Sequence, residues 1–293
     1  RQNKIFKHLI IPLNYIDASL GVIRLTMGSH SRLVHIEKGA HLHSALWSKI
    51  HEKTVFVLVI GETARMQNFA IDGYERNTNP HLKKRTHIIS FLNTSSCGTS
   101  TSVSVPCIFD PRGDQSTALG ASAYTNLLDI AKTAGFDVVW LDNNTGCQGV
   151  CSRVEDIPVR SFPGADQYCE GDNCYDGILV QAFKNVLQTH PSRKILVVLH
   201  MLGSHGPQYY KRYPEEFRLF SPDCQRLDLS DCSRDEIINS YDNTIVYTDH
   251  VLNELIEYLE HSRQYNSSLL YVSDHGESLG EKGLYLHAIP KTF

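Results

Sequence analysis

Four runs of the sequence are apolar without alternation: Val55–Ile60 (VFVLVI), Val138–Leu141 (VVWL), Ile195–Leu199 (ILVVL) and Leu269–Val272 (LLYV). A strand with one wet face alternates apolar and polar side chains, whereas a run that does not alternate is buried on both faces. Such strands need a covering layer on each side of their sheet. The segments between them supply it, with helical periodicity over Asn126–Thr133, Tyr175–Gln188 and Asp235–Leu259. Strands alternating with helices predict an α/β fold with a largely parallel central sheet flanked by helices. No internal repeat or low-complexity tract interrupts the pattern.

The apolar runs end in polar clusters. Gly61-Glu62-Thr63-Ala64-Arg65 follows the first, His200 and then Gly203-Ser204-His205-Gly206-Pro207 the third, and Ser273-Asp274-His275-Gly276-Glu277-Ser278 the fourth. Open α/β sheets bind ligands beyond the carboxyl ends of their strands, so Glu62, His205, Asp274 and His275 are expected on one surface. A lone histidine is usually structural; an Asp-His pair directly after a buried strand is a sharper signal. A small set of oxygen and nitrogen donors suits zinc, with manganese as the alternative. Between the first two strands lies CGTSTSVSVPC, from Cys97 to Cys107. It reads either as a solvated Ser/Thr loop or as a nucleophile loop pinned by a Cys97–Cys107 bridge, and spacing alone does not choose. A hydroxyl attacks at neutral pH only with help, from a metal or from the positive end of a helix.

The eight cysteines fall into four close neighbours: Cys97 with Cys107, Cys147 with Cys151, Cys169 with Cys174, and Cys224 with Cys232. Eight cysteines admit about a hundred pairings. Nearest-neighbour bridges are expected, because each pair sits in Gly-, Asn-, Asp- or Ser-rich sequence. The rival, a zinc site from Cys147, Cys151, Cys169 and Cys174, has looser spacing than a two-residue knuckle. Four bridges imply an oxidising compartment. The net charge of −4 argues against a nucleic-acid partner, and no apolar run approaches the ~18 residues of a membrane span.

Residues 1–50 read as a connector, with short helices at Ile10–Ile16 and Leu20–Leu25 that pack on the domain or lie at a membrane surface. Residues 51–293 read as the catalytic domain. Lys83-Lys84-Arg85 reads as a solvated face. The run Tyr209–Tyr213 either packs beside the site or meets an anionic lipid headgroup. Glu277 and Glu281 either orient ligands or are loop charges.

The blocks GETAR (61–65), SCGTSTSVSVPC (96–107), DNNTGC (142–147), GSHGPQYYKRYP (203–214), YDNT (241–244) and SDHGESLGEKGLYLH (273–287) strongly resemble the lipid A phosphoethanolamine transferases, which include the colistin-resistance enzymes. The resemblance runs in order from about residue 54 to the end. It implies the alkaline phosphatase/sulfatase fold and one tightly held zinc on Glu62, Thr101, Asp274 and His275, with Thr101 as nucleophile. It implies that His205 and His287 line the site, contact phosphate, act in proton transfer or help bind a second zinc. Asn144, Thr145 and Thr99 match residues that contact the phosphoethanolamine group. Gln148 stands where the family often has lysine.

The implied reaction moves phosphoethanolamine from phosphatidylethanolamine to a lipid A phosphate through an ester on Thr101, with diacylglycerol leaving. The implied setting is the periplasmic face of a Gram-negative inner membrane, where the activity confers polymyxin resistance. Family members carry an N-terminal transmembrane bundle, and they continue past the last histidine motif with a further strand and helix. The chain therefore reads as a fragment whose catalytic domain is incomplete at its C-terminal end. A phosphoglycerol transferase or phosphodiesterase of the same superfamily is the nearest rival. A non-catalytic extracellular module is the rival from another class. The exact acceptor and the oligomeric state stay open.

Overall fold

Each apolar run forms a strand. In the computed structural model the described elements are, in chain order, β1 (Lys53–Gly61), α1 (Thr101–Phe109), α2 (Leu127–Thr133), β2 (Asp137–Asp142), β3 (Glu155–Pro158), β4 (Cys169–Glu170), β5 (Asn173–Cys174), α3 (Gly177–Thr189), β6 (Lys194–His200), α4 (Arg234–His261), β7 (Tyr265–Ser273), β8 (Ser278–Leu279) and β9 (Tyr285–Leu286). The structure describes residues 33–43, 47, 49–113, 124–171, 173–262 and 265–289, with positions 16 and 19 besides. The helices expected at 10–16 and 20–25 lie outside the described residues.

Five strands form one sheet in the order β3-β2-β6-β1-β7, every pair parallel. The α/β expectation holds. The sequence pattern gave no sign of β3: Glu-Asp-Ile-Pro is short, polar and ends in proline, which an edge strand tolerates. Two-sided burial explains the continuous apolar runs. Val55, Val57 and Val59 face one layer with Val197, Ile178, Phe183 and Leu252. Leu58 and Ile60 face the other with Trp140, Val105, Phe109 and Leu128. Burying one such side chain contributes about 1.5–3 kcal/mol. The helices start where their caps dictate. Asn126 with Asp129 and Ser233 with Glu236 form capping boxes at α2 and α4.

Register sets the site. Ile60 pairs with His200 on one side and with Val272 on the other, so the chain leaves three strands at one level. Gly61 is required there, because a Cβ would lie 2.3 Å from the Tyr271 hydroxyl. The opposite edge strand, β7, borders an apolar groove of about 820 Å³ lined by Met66, Phe69, Ile89, Phe91 and Leu270.

All four nearest-neighbour disulfides form. Cys147, Cys151, Cys169 and Cys174 are thereby consumed, and the cysteine zinc site is ruled out. Cys97–Cys107 ties the loop before α1 back onto that helix.

Candidate active site

Glu62 follows β1 directly, and Asp274 and His275 follow β7. All three are buried, at 0, 1 and 2% exposure. One ligand atom from each lies within 4.8 Å of the others. His275 Nε2 is 3.3 Å from Glu62 Oε1 and 3.5 Å from Asp274 Oδ2. Thr101 is the first residue of α1, at the positive end of the helix. Its hydroxyl donates to Glu62 Oε2 at 3.0 Å and lies 3.4 Å from His275 Nε2. The four residues expected to hold the metal therefore converge.

A cation fits this point. Asp274 Oδ2 is buried without a hydrogen-bond partner, while Oδ1 accepts from the Thr63 and His275 amides. His275 Nδ1 is 2.9 Å from the Gly276 carbonyl; as donor there, it leaves Nε2 as the lone-pair nitrogen facing the carboxylates. Two buried carboxylates around one imidazole demand positive charge. Burial, then the neighbouring Glu62 charge, push the Asp274 carboxyl up. Burial works against protonation of His275, but the Glu62 hydrogen bond and the Asp274 charge overcome it and raise its pKa to about 9. Burial likewise opposes ionisation of Glu62, yet His275 holds its carboxyl well below the usual range.

A second group surrounds this centre on loops. The Asn144 amide donates to Glu62 Oε2 at 2.9 Å and to the Met201 carbonyl at 2.8 Å. His205 and His287 face each other with ring centroids 5.3 Å apart, and His287 lies 4.9 Å from the His275 ring. His287 stands between Leu286 at φ 68° and Ala288 at φ 62°, two left-handed non-glycine residues. The Ala288 amide donates to the Thr99 carbonyl at 2.7 Å, joining the nucleophile loop to the histidine loop. Thr145 is exposed, its amide on the Asn144 side-chain oxygen, and stands outside the cluster.

Environment drives the two outer histidines apart. Burial, with a smaller push from Arg212, lowers the His205 pKa. A hydrogen bond from His287 Nδ1 to Glu277 Oε2 at 3.1 Å raises that of His287. Glu277 is buried and also accepts from Tyr209 at 3.1 Å, so it orients a site residue, whereas Glu281 is exposed and pairs with Arg65. Tyr209 is packing beside the site, and Arg212 donates to the His205 carbonyl. Lys83 and Lys84 are exposed, while Arg85 pairs with Glu260.

Several supporting residues escaped the sequence reading. Asp142 accepts from Trp140 Nε1 and the Asn144 and Gly146 amides, and bonds His200 Nδ1, which fixes the Asn144 loop. Asp176 accepts from Asn143 Nδ2 and from the Leu202 and Gly203 amides, each at 2.8 Å, bracing the loop that carries His205. Asp142 directly follows the apolar run of β2 but stands out only as part of the DNNTGC block, and Asp176 follows no apolar run.

The sulfatase family model matches residues 54–293. The chain belongs to the sulfatase family. It is 41% identical over 293 residues to phosphoethanolamine transferase EptA of Escherichia coli strain K12, covering 99% of this chain and 53% of that protein. It thus spans about half the length of that relative. The fold superposes with a TM-score of 0.91 on the integral membrane protein lipooligosaccharide phosphoethanolamine transferase A from Neisseria meningitidis, at 38% identity over 100% of this chain and 54% of that one. The C-terminal periplasmic domain of EptC from Escherichia coli, solved in complex with zinc, gives a TM-score of 0.64 at 26% identity over 79% of this chain and 66% of that one. The resemblance read from the sequence motifs holds. Among the described residues, no helix is long and apolar enough to cross a membrane.

Proposed function

We propose that this chain is the catalytic part of a zinc-dependent phosphoethanolamine transferase that carries the group from phosphatidylethanolamine to a lipid A phosphate through Thr101. The observation that carries the reading is the Thr101 hydroxyl at the start of α1, in contact with Glu62 and His275 beside the unpartnered Asp274 oxygen. Glu62, Thr101, Asp274 and His275 would hold the ion. Zinc bound there supplies positive charge that favours the ionised hydroxyl and offsets phosphate charge.

The chain's own residues do the rest. Thr101 Oγ forms the new bond to phosphorus as the bond to the diacylglycerol oxygen breaks. His287, held by Glu277 and biased toward its protonated form, is suited to give that oxygen its proton. Burial keeps His205 neutral and able to accept one. The amide end of α1 favours the anionic group. Asn144, with its amide on Glu62, borders the same space; the family resemblance would have Thr99 and Thr145 contact the phosphoethanolamine group. In the second half-reaction an acceptor phosphate oxygen attacks phosphorus and Thr101 is regenerated. Four disulfides support a periplasmic location, and the membrane-protein relative supports attachment to the inner membrane through an N-terminal domain. Polymyxin resistance follows from masking lipid A charge.

Intact mass spectrometry of wild type and Thr101→Ala, after incubation with phosphatidylethanolamine and zinc, tests the reading. A phosphoethanolamine-sized adduct mapped to Thr101, absent from the variant and after chelation, is the expected result. If a soluble headgroup analogue also leaves wild type unmodified and unturned over, the reading fails.

A further inference from the structure

The Tyr-Asp-Asn-Thr block at 241–244 takes part in no step above, yet all four residues are buried within α4, at 0–1% exposure. Consecutive buried polar side chains must have partners. Asp242 takes Asn68, Tyr74 and Arg76, and Asn243 takes the Phe220 backbone, none of them a residue of the metal centre. Tyr241 and Thr244 differ. Three residues apart, they share one helix face; Tyr241 reaches the backbone after Glu62 directly, and Thr244 reaches the Glu62 carbonyl through Ser204.

The Tyr241 hydroxyl donates to the Thr63 carbonyl at 2.6 Å and accepts the Arg65 N–H at 2.8 Å. Thr63 has φ 53°, a left-handed conformation that a β-branched residue avoids unless its surroundings impose it. Its own N–H donates to Asp274 Oδ1. One turn therefore sets the direction of Glu62 and fixes one oxygen of Asp274, leaving the other unpartnered. Thr244 Oγ1 bonds Ser204 Oγ at 2.6 Å, and the Ser204 N–H donates to the Glu62 carbonyl at 2.9 Å. The Ser204 loop presses close. At Gly203, φ 52°, a Cβ would stand 2.7 Å from that same carbonyl oxygen. We infer that Tyr241 and Thr244 are positioning residues of the metal centre, clamping the backbone from the Glu62 carbonyl to the Arg65 amide, Tyr241 directly and Thr244 through Ser204, so that the carboxylates are set before the ion arrives. This rests on the zinc reading above.

The test is the zinc dissociation constant of the full chain, read by competition with a chromophoric chelator, alongside the melting temperature of the metal-free protein. Wild type is compared with Tyr241→Phe, Thr244→Val, Glu62→Gln and Tyr247→Phe. Tyr247 is the control, buried on the same helix, with its hydroxyl on the Gly177 amide at 2.9 Å rather than on the Glu62 turn. Tyr241→Phe is expected to weaken zinc binding about 10- to 100-fold. Thr244→Val moves the same way. Tyr247→Phe lowers the melting temperature comparably and leaves zinc affinity unchanged. If Tyr241→Phe binds like wild type while Glu62→Gln has lost zinc, the inference is overturned and the centre stands. An equal loss in Tyr247→Phe also overturns it, because general softening then explains the effect. If wild type binds no better than Glu62→Gln, the centre itself falls and the inference with it. Should Tyr241→Phe fail to fold, Thr244→Val decides by the same comparison.

Discussion

Glu62, Asp274 and His275 directly follow the adjacent strands β1 and β7 of the central sheet and are fully buried, whereas Asn144, His205 and His287 sit on the loops after β2, β6 and β9 and are partly exposed. The inner group is aimed by the sheet. Register at Ile60, His200 and Val272 delivers its backbone to one level, and hydrogen bonds from the Thr63 and His275 amides to Asp274 close it. The outer group is aimed by single polar residues from elsewhere in the chain: Asp142 for Asn144, Asp176 for the His205 loop, Glu277 for His287. An inner residue therefore has many neighbours holding it and a charge that nothing else can replace. An outer residue rests on a few polar contacts, and losing its carboxylate support changes its direction and, for a histidine, its proton affinity while the centre remains.

The comparison breaks most visibly at Asp274. Asp274→Asn keeps the shape but removes one of two buried negative charges and the unpartnered oxygen. Zinc affinity is expected to fall on the order of 100-fold or more, since a structural zinc site draws its binding free energy from a few ligands. Isothermal titration of the refolded variant checks this; near-wild-type affinity would place the ion elsewhere.

Acid should act on the same inner group. In the metal-free protein the pKa of His275 is raised to about 9 and that of Asp274 is raised as well. Both groups must lose protons before they can serve as ligands, so protons compete with zinc. Affinity should fall about tenfold for each unit of pH below about 9, from the His275 proton alone. The slope steepens in acid as Asp274 takes up its own proton. Competition titrations between pH 6 and 9 give that slope directly, and a flat profile would mean that these groups are not the ligands.

The same contrast explains what was legible in the sequence. Strands buried on both faces announce themselves, and residues directly after them, such as Glu62 and Asp274, inherit that clarity. Closely spaced cysteines pair as expected because short loops leave few partners in reach. Thr101 is different. The Ser/Thr-rich stretch before and within α1 offers several hydroxyls, and only the family resemblance singles out the one at the helix start. Asp176 leaves no trace in the pattern, since the amides it holds at Leu202 and Gly203 lie 26 and 27 residues away. β3 is invisible because an edge strand of four residues needs no apolar run. Long-range polar bracing has no period, so periodicity does not find it.

The smallest expected effect sharpens the comparison from the outer side. Glu277 touches His287 and Tyr209 and lies outside the set Glu62, Thr101, Asp274 and His275. Glu277→Gln retains size and one hydrogen bond but removes the charge that favours His287 as a cation. The His287 pKa, raised in the native protein with this hydrogen bond as its largest cause, should fall, which a ring-proton NMR titration reads. The sign is fixed by linkage. A pKa raised on folding adds stability that is fully present below the unfolded value of about 6.5 and is lost as pH rises through the folded value. The stability gap between wild type and variant should therefore be widest below about pH 6.5 and close above the raised pKa. Formation of the Thr101 adduct should slow by roughly tenfold, within the range for removing a partner that orients a site residue, while zinc affinity changes little. If zinc affinity instead falls as far as in Asp274→Asn, the outer loops share the load of the inner centre and the division drawn here is wrong.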